Sequence, residues 1–337
     1  MSDNLNLAER LRPVPRSGLF KQEGYCVWCG SLLKYGDEYY LYYSRWPEEI
    51  GFKCWCTDCE IAVARSKDLF GEFTFDRVVL KGEHDGSWDE SCVHNPQVLE
   101  YKGKFYIFHM GNNGHGNPDI REDWLNYNRR QRVGCAVADH PLGPFRHCSE
   151  PVVDISENGI DSLITSNPAA AIAPDGSIHM IYKAVSRPDD TSVPFPHAVI
   201  CGAATAENPM GPYKKHGKPI MLNPNNRWSV EDPTIWHNGE RWYAVVKDFQ
   251  GYFSGVKPEK GYTLALMTSE DGFDWRPAAN PFVSDLTLIW EDGEHELLCN
   301  KERPQIFIEN GELRALVCAC ARYPGYGDSF SLRIPIE

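Results

Sequence analysis

The chain has 337 residues, of which 42% are hydrophobic and 12% aromatic, so it can bury a sizeable core and is not a disordered segment. Its formal net charge of −13 argues against a nucleic-acid backbone or an anionic membrane surface as a partner, because nothing in the chain concentrates positive charge. A neutral ligand that favours aromatic side chains, such as a sugar, fits this composition better.

The N-terminal residues read MSDNLNLAERL and contain neither an apolar stretch nor a small-residue cleavage site. No run of 18 apolar residues occurs further along the chain. These features predict a cytoplasmic protein without a secretion signal or a membrane span. In that reducing compartment the twelve Cys are expected to be buried thiols.

One sequence unit occurs five times along the chain. It reads WCGSLLKYGDEYYLYYS from Trp28, HNPQVLEYKGKFYIFHM from His94 and SNPAAAIAPDGSIHMIYKA from Ser166. It returns as EDPTIWHNGERWYAVVKD from Glu231 and ERPQIFIENGELRALVCAC from Glu302. Each copy has a short motif, ending in Pro in the last four, then a strand, a Gly turn and an aromatic strand. Successive copies are 66, 72, 65 and 71 residues apart, which indicates a structural repeat.

A second motif follows each of the first four copies, as in GCAVADHPLGPF and CGAATAENPMGPY. There an apolar strand runs into a Gly turn and an aromatic residue that starts another strand. Each repeat therefore predicts four strands, A to D. Period-two alternation in YYLYYS and KFYIFHM favours strands over helices, and only residues 5–11 suggest a helical period.

Four-stranded units repeated radially predict an all-β fold, a five-bladed β-propeller, with A strands beginning near residues 28, 94, 166, 231 and 302. Residues 1–337 are expected to form this single domain, with residues 1–12 as an N-terminal extension. The last repeat lacks strand D, and PRSGLFKQEG near Pro15 resembles that strand. We therefore expect an N-terminal strand to close the ring. Two packed β-sandwiches are the alternative, but they would not produce five in-phase copies.

The leading ends of the five A strands should meet at one mouth of the propeller axis. The residues there are Trp28 and Cys29, His94 and Asn95, Ser166 and Asn167, Glu231 and Asp232, and Glu302 and Arg303. Purely structural strand starts should carry similar apolar residues, whereas these differ from one another and are mostly polar. This contrast predicts a functional site at the axis.

Further polar residues are expected at the same mouth. Asp89 and Asp161 each lie six residues before an aligned Asn, and Lys183 and Lys247 end B strands on that face. Crowded carboxylates raise the pKa of some members and leave others ionised, and glycoside hydrolysis needs that division. The expected catalytic candidates are Glu231, Glu302, Asp232, Asp161 and Asp89. The expected sugar-binding residues are Trp28, His94, Asn95, Asn167, Lys183, Lys247 and Arg303.

Each of these residues also has a structural interpretation. Asn95 and Asn167, which each precede a Pro, could form Asx turns and have no other role. Asp89 and Asp161 could brace loops, and Glu231 and Glu302 could form buried ion pairs with Arg303 or a lysine. The Trp residues near the mouth, including Trp46, Trp88 and Trp228, could belong to the core rather than stack on a sugar.

The chain resembles the five-bladed propeller glycoside hydrolases, the superfamily that contains families 43, 32, 117 and 130. The resemblance runs from about Pro13 to Ile336 and rests on the Pro-motif strand, the Gly-aromatic strand and the turns HPLGPF and NPMGPY. The segments WDESCVHNP, GIDSLITSNP, SVEDPTIW and NKERPQIF look like an uncharacterised family 43-like branch.

This resemblance implies roles for individual residues. In families 43 and 32 the general acid is a Glu two residues before Pro, a position matched by Glu231 and again by Glu302. The base or nucleophile of those families is an Asp directly before Pro in an early blade, where this chain has Cys29 and Asn95. Asn167 replaces the Asp that tunes the acid, and His94 stays a candidate because some related families use His as the acid.

The expected function is therefore an exo-acting glycosidase for a short oligosaccharide, with Glu231 as general acid and Glu302 as base or nucleophile. If only Asp232 faces the axis, the roles would move to Asp232 together with Asp161 or Asp89. The alternatives are a carbohydrate-binding propeller without activity and a family 130-like phosphorylase that holds phosphate with basic residues. No cofactor and no metal are expected.

Two cysteine pairs offer a competing interpretation. Cys26 and Cys29 are separated from Cys56 and Cys59 by 26 residues, the arrangement of a zinc ribbon. In the propeller these strand starts lie on one face of the first blade, so that four thiolates could meet. The other repeats lack the pairs, which favours buried thiols on strands.

Overall fold

A computed structural model describes residues 4–193, 196–225, 227–258 and 261–337. It confirms the five-bladed β-propeller, in which every blade is a four-stranded antiparallel sheet. Strand β1 (Leu19–Phe20) precedes the first blade, which contains β2 (Tyr25–Tyr35), β3 (Glu38–Pro47), β4 (Glu60–Ser66) and β5 (Thr74–Leu80). The second blade contains β6 (Cys92–Tyr101), β7 (Lys104–Asn112), β8 (Arg132–Ala138) and β9 (Arg146–His147).

The remaining blades repeat this order from the axis outwards. The third contains β10 (Ile164–Ile172), β11 (Ile178–Val185), β12 (Ile200–Ala206) and β13 (Lys214–Lys215). The fourth contains β14 (Val230–His237), β15 (Trp242–Asp248), β16 (Thr263–Ser269) and β17 (Arg276–Ser284). A hairpin of β18 (Thr287–Ile289) and β19 (His295–Leu297) leads to the fifth, with β20 (Asn300–Glu309), β21 (Glu312–Tyr323) and β22 (Gly327–Pro335).

The ring closes as expected, because β1 pairs antiparallel with β22 and becomes the outermost strand of the fifth blade. Among the described residues, two α-helices lie outside the blades, α1 (Leu7–Arg10) and α2 (Arg121–Arg129), and short 3-10 turns cover Arg16–Gly18, Glu48–Ile50, Phe52–Cys56 and Pro324–Tyr326. The sequence pattern indicated α1 but not α2. No helix in the described part of the chain is long and apolar enough to cross a membrane.

Each blade buries its faces against its two neighbours. Five apolar clusters follow the ring, one between each pair of adjacent blades. For example, Tyr42 of β3 and Ile107 of β7 share the cluster between the first two blades. No blade could bury both faces alone, so the stability of each depends on ring closure.

The N-terminal extension belongs to one of these clusters. Leu7 of α1 is fully buried between the fourth and fifth blades, and Leu11 forms a bridge with Ile336. We expect Leu7→Ala to lower the free energy of unfolding by about 2–5 kcal/mol, as cavity-forming Leu→Ala changes in cores do. Urea unfolding checks this, with Leu297→Ala as the control because that side chain is 63% exposed. Equal effects of the two substitutions would contradict the docking of α1.

All five inner strands share one irregularity. Their pairing with the next strand skips two residues, between Trp28 and Ser31, His94 and Gln97, Ser166 and Ala169, Glu231 and Thr234, and Glu302 and Gln305. In the last four blades a Pro lies in the skipped pair, where its missing N–H removes no ladder hydrogen bond. In the first blade Gly30 takes this place, because a Cβ there would lie 2.5 Å from Ser331 Oγ. The repeated Pro motif is therefore a repeated β-bulge.

Candidate active site

The first residue of each bulge has a positive φ, between 46° and 58° at Cys29, Asn95, Asn167, Asp232 and Arg303. These are the five aligned positions of the sequence repeat, and their side chains surround the axis. The Cys29 thiol donates to Asn95 Oδ1 (2.8 Å), Asn95 Nδ2 to Asn167 Oδ1 (2.7 Å) and Asn167 Nδ2 to Asp232 Oδ1 (2.6 Å). Arg303 Nη1 donates to the same Asp232 oxygen at 3.2 Å, and its guanidinium lies beside Cys29. We call these five residues the axial ring.

The bulge also settles which residues face the pocket. Regular alternation along a strand would turn Glu231 and Asp232 to opposite sides. The bulge breaks the alternation, and both residues line the axial pocket. The same holds for Glu302 and Arg303 in the next blade.

The axial pocket has a volume of about 590 Å³, within the range of small-molecule sites. Ten of the twelve residues that were predicted to be catalytic or sugar-binding line this pocket. They are Trp28, His94, Asn95, Asn167, Lys183, Glu231, Asp232, Lys247, Glu302 and Arg303. The structure therefore brings together residues that are about 70 positions apart in the sequence.

Lys247 joins two carboxylates of neighbouring blades. Its Nζ lies 2.9 Å from Glu302 Oε1 and 3.8 Å from Glu231 Oε2, so the two carboxylates are no further apart than the sum of these distances. Lys183 binds the other oxygen of Glu231 at 3.0 Å. Glu302 Oε1 also accepts hydrogen bonds from Tyr262 OH (3.0 Å) and Asn300 Nδ2 (2.9 Å). Three donors therefore converge on one oxygen of Glu302.

The pKa values of Glu231 and Asp232, the two adjacent acids of β14, are shifted in opposite directions. Burial alone would raise the pKa of Glu231, but Lys183 and Lys247 outweigh it, so the pKa of Glu231 lies below its ordinary value. Burial and the charge of Glu231 raise the pKa of Asp232. Asp232 is nevertheless committed to the axial ring, where Asn167 and Arg303 donate to it. Glu231 has no such ring contact and faces the pocket with one lysine on each oxygen.

His94 is held by its neighbours as a neutral ring. Its Nδ1 lies 3.1 Å from Cys59 Sγ, and its imidazole packs against Trp46 and Trp55. Burial, followed by the charges of Arg303 and Lys183, lowers the pKa of His94 well below its ordinary value. If the Cys59 thiol donates to Nδ1, the proton of His94 is on Nε2. Such a ring can donate a hydrogen bond but does not supply a proton as a resting acid.

Aromatic residues form the walls of the pocket, and sequence reasoning missed most of them. Phe52 and Tyr326 stack face to face with centroids 4.1 Å apart, and Trp28 meets both edge-on. Trp228 is 49% exposed and is the aromatic side chain most available to a sugar face. The other lining residues that the sequence did not single out are Lys53, Trp55, Trp124, Asn128, Gln131, Phe249 and Gly325.

Helix α2 supplies part of this wall. Trp124 and Asn128 lie four residues apart, on one face of the helix, and both line the pocket. That spacing was the signal in the sequence that could have identified them. The loops of the other blades carry no shared pattern, because loops are the part of a repeat that varies.

Asp89 and Asp161 do not line the axial pocket, which corrects their predicted place at its mouth. Asp161 is buried and accepts hydrogen bonds from Tyr182 OH (2.8 Å) and Lys215 Nζ (2.7 Å). Asp89 is buried between His109 and His147. Each carboxylate turns into its own blade and braces the loop that leads to the inner strand. Trp46 is a core residue packed against His94, and the half-buried Trp88 stacks on His109.

The cysteine pairs do not form a zinc ribbon. Cys26, Cys29, Cys56 and Cys59 are all free and buried, and they do not converge as a set of metal ligands. Cys29 belongs to the axial ring and Cys59 contacts His94. Burial raises the pKa of Cys26 to about 11 and that of Cys56 to about 12, so both are thiols at neutral pH.

Several solved structures with a similar fold are glycoside hydrolases. A thermostable family 43 glycoside hydrolase matches with a TM-score of 0.64 and 16% identity, covering 96% of this chain and 91% of its own. A family 117 enzyme of the marine bacterium Zobellia galactanivorans matches with 0.64 and 19%, covering 97% and 90%. A family 43 enzyme of Xanthomonas citri, solved with xylose, matches with 0.61 and 15%, covering 98% and 91%. At these identities the likeness shows the fold.

Sequence comparison adds nothing further. No protein-family model matches the chain. No curated protein matches it at a significant level.

Proposed function

We propose that this protein is an exo-acting glycoside hydrolase that removes terminal sugars from a short oligosaccharide. One observation carries the proposal. Glu231 and Glu302, from adjacent blades, face one axial pocket and are held by the same lysine. A pair of carboxylates across the scissile bond is what glycosidic cleavage requires. The likeness of the fold to glycoside hydrolases supports the same class of reaction.

The shape of the pocket supports exo action. Four residues of the axial ring, Asn95, Asn167, Asp232 and Arg303, line it together with aromatic side chains from several blades. Phe52 comes from the loop after β3, Trp124 from α2, Phe249 from the loop after β15, and Tyr326 from the turn after β21. We infer from these surrounding walls that the pocket accepts the end of a chain rather than its middle.

We assign Glu231 as the general acid and Glu302 as the base or nucleophile. The Glu231 position matches the acid of families 43 and 32. Lys183 and Lys247 lower the pKa of Glu231 in the free pocket, so the acid role requires that substrate binding draws a lysine away. Glu302 is the other carboxylate held by Lys247. Because Lys247 Nζ contacts both side chains, the carboxylate oxygens of Glu231 and Glu302 cannot be further apart than the sum of its two contact distances. That upper limit lies near the border between retaining pairs, about 5–5.5 Å apart, and inverting pairs, about 6.5–9.5 Å apart. The stereochemistry of the product tests which applies.

The remaining lining residues would hold sugar hydroxyls. Arg303 is buried, and its Nε and Nη2 have no hydrogen-bond partner among the described residues. His94, Asn95 and Asn167 add ring and amide groups. Trp228 supplies an exposed aromatic face beside them. The twelve free cysteines support a cytoplasmic location for the enzyme.

A panel of aryl-glycosides and oligosaccharides, assayed with and without phosphate, tests the proposal. Turnover without phosphate and release of single terminal sugars are expected. Turnover that depends on phosphate would instead indicate a phosphorylase. Release of internal fragments from a long chain would contradict exo action.

A second candidate is a carbohydrate-binding propeller without activity. It is favoured by Cys29 and Asn95, which occupy the places of the base of families 43 and 32 and are engaged in the axial ring. Neither a thiol buried to a pKa of about 12 nor an amide can serve as that base. Sugar binding measured by calorimetry, with no turnover over the whole panel, would establish this alternative.

The lysine beside the proposed acid should set the pH profile. A general acid works while it is protonated, so kcat/KM falls above its pKa. The pKa of Glu231 lies below its ordinary value, and Lys183 lowers it more than any other charge does. Lys183→Met should therefore move the alkaline limb of kcat/KM to higher pH. The exposed Lys214→Met is the control, and a limb that stays in place in both variants would contradict Glu231 as the acid.

A further inference from the structure

Asp89 lies between two imidazoles of the second blade, outside the axial pocket. Its Oδ2 is 3.1 Å from His109 Nε2 of β7 and 2.7 Å from His147 Nδ1 of β9. These three ligand atoms all lie within 4.8 Å of one another. Over residues 4–193, 196–225, 227–258 and 261–337 this is the one group of at least three His, Cys, Asp or Glu side chains arranged so closely.

The third blade provides an internal comparison. Asp161 occupies the place of Asp89, six residues before the aligned Asn, and it too binds one residue of the second strand and one of the fourth, Tyr182 and Lys215. There the buried carboxylate has a permanent cation in Lys215. In the second blade imidazoles replace both partners, and the described residues that contact Asp89 include no Lys or Arg. Buried charges are paired or bound to metals, so this carboxylate calls for a cation.

The second ring nitrogen of His109, Nδ1, also indicates that a cation is needed beside Asp89. Its Nδ1 lies 3.4 Å from the carbonyl oxygen of Ile107. When the single ring proton of neutral His109 is on Nδ1, toward that carbonyl, the lone pair of Nε2 faces the Asp89 oxygen. Two electron pairs at this distance repel each other unless a positive centre lies between them. A backbone carbonyl on the far nitrogen is also the usual support of a metal-binding histidine.

We propose that Asp89, His109 and His147 form a zinc site. Two imidazole nitrogens and one carboxylate oxygen are a common donor set for Zn²⁺, with bonds of about 2.0–2.2 Å. Tetrahedral bonds of that length separate neighbouring ligand atoms by roughly 3.3 Å, so small side-chain movements suffice. The side chain of His147 is 24% exposed and lines a surface cavity of about 830 Å³, which gives an ion and a fourth water ligand access.

The surroundings hold the three ligands in place. Ser87 Oγ donates to the second Asp89 oxygen at 3.2 Å, and Trp88 stacks on His109. Gly134 allows this close packing, because a Cβ there would lie 2.3 Å from the Trp88 ring. The ion would join the loop before β6 to β7 and to β9, which has only two residues. Its role is to fix the blade that carries His94 and Asn95.

Cobalt binding tests the site, since Co²⁺ occupies zinc sites and is coloured. Chelator-treated full-length protein is titrated with Co²⁺, and bound metal is counted by mass spectrometry. We expect one Co²⁺ per chain and the visible absorption bands of a four-coordinate ion, without the near-ultraviolet band of a cobalt–thiolate bond. That last feature separates the site from the twelve cysteines. Zn²⁺ should displace Co²⁺ and raise the unfolding temperature.

A matched pair of variants completes the experiment. His147→Asn keeps a hydrogen-bonding group near the Nδ1 position but removes the ligand, so the visible bands and the thermal shift should disappear. Asp161→Asn changes the equivalent brace of the third blade and should retain both. No binding by the wild-type protein, a thiolate band, or equal binding by His147→Asn would overturn the proposal. The wild-type spectrum decides the matter even where a variant does not fold.

Discussion

Glu231→Gln should lower kcat for a disaccharide substrate by about 10²–10⁴-fold, the contribution typical of a general acid. The amide keeps the size of the side chain and still accepts a hydrogen bond from Lys183, but it cannot supply a proton. The loss should be smaller for an aryl-glycoside whose leaving group needs little protonation. Steady-state rates on both kinds of substrate measure the difference.

The control for this experiment is a carboxylate outside the pocket. Glu309 binds Lys34, and neither residue lines the axial pocket, so Glu309→Gln should leave kcat unchanged. If Glu231→Gln turns over the disaccharide at nearly the wild-type rate, Glu231 is not the acid. A loss that is equal for the disaccharide and the activated aryl-glycoside would also contradict that role.

Arg303→Met should lower the free energy of unfolding by about 3–5 kcal/mol, the cost of leaving a buried charge without its partner. Asp232 is 2% exposed, and Arg303 is the cation of the axial ring that binds it directly. Adding Asp232→Asn to the same chain should recover most of the loss, because an amide still accepts from Asn167 and carries no charge. Urea unfolding of the wild type, both single variants and the double variant measures the coupling.

A surface ion pair serves as the comparison. Arg12 binds Glu337, and their side chains are 41% and 72% exposed, so Arg12→Met should cost no more than about 1 kcal/mol. An Arg303→Met variant as stable as the wild type would show that the axial ring contributes little. A double variant whose loss equals the two single losses together would show that Asp232 and Arg303 do not interact.

The sequence predicted the blade count because the aligned residues recur with nearly constant spacing. The inner strands begin at Tyr25, Cys92, Ile164, Val230 and Asn300, one to three residues earlier than the motif suggested. A polar motif marks the bulge, and the ladder starts before it. Helix α2 escaped prediction because its packing against the pocket, rather than a strong apolar period, stabilises it.

The candidate site likewise has residues that the sequence predicted and residues that it did not. Residues on the repeated strands were predictable, since the repeat fixes both their position and the blade end to which they belong. Asp89 and Asp161 were misplaced because spacing along the chain gives the distance from the axis but not the direction of a side chain. Phe52, Trp124 and Tyr326 lie in segments that differ from blade to blade, so no period identified them.

The five bulges separate the constraints on the strand register from the constraints on the side chains at the axis. The residue with positive φ takes no part in the strand ladder, so its side chain can be exchanged while the sheet keeps its register. Asn and Asp tolerate this conformation best, but Cys29 and Arg303 occupy it too. The sheet itself therefore sets no requirement for an acid at these five positions. In this architecture, the chemistry can drift while the scaffold is inherited intact, and kinship of fold is a poor guide to kinship of reaction.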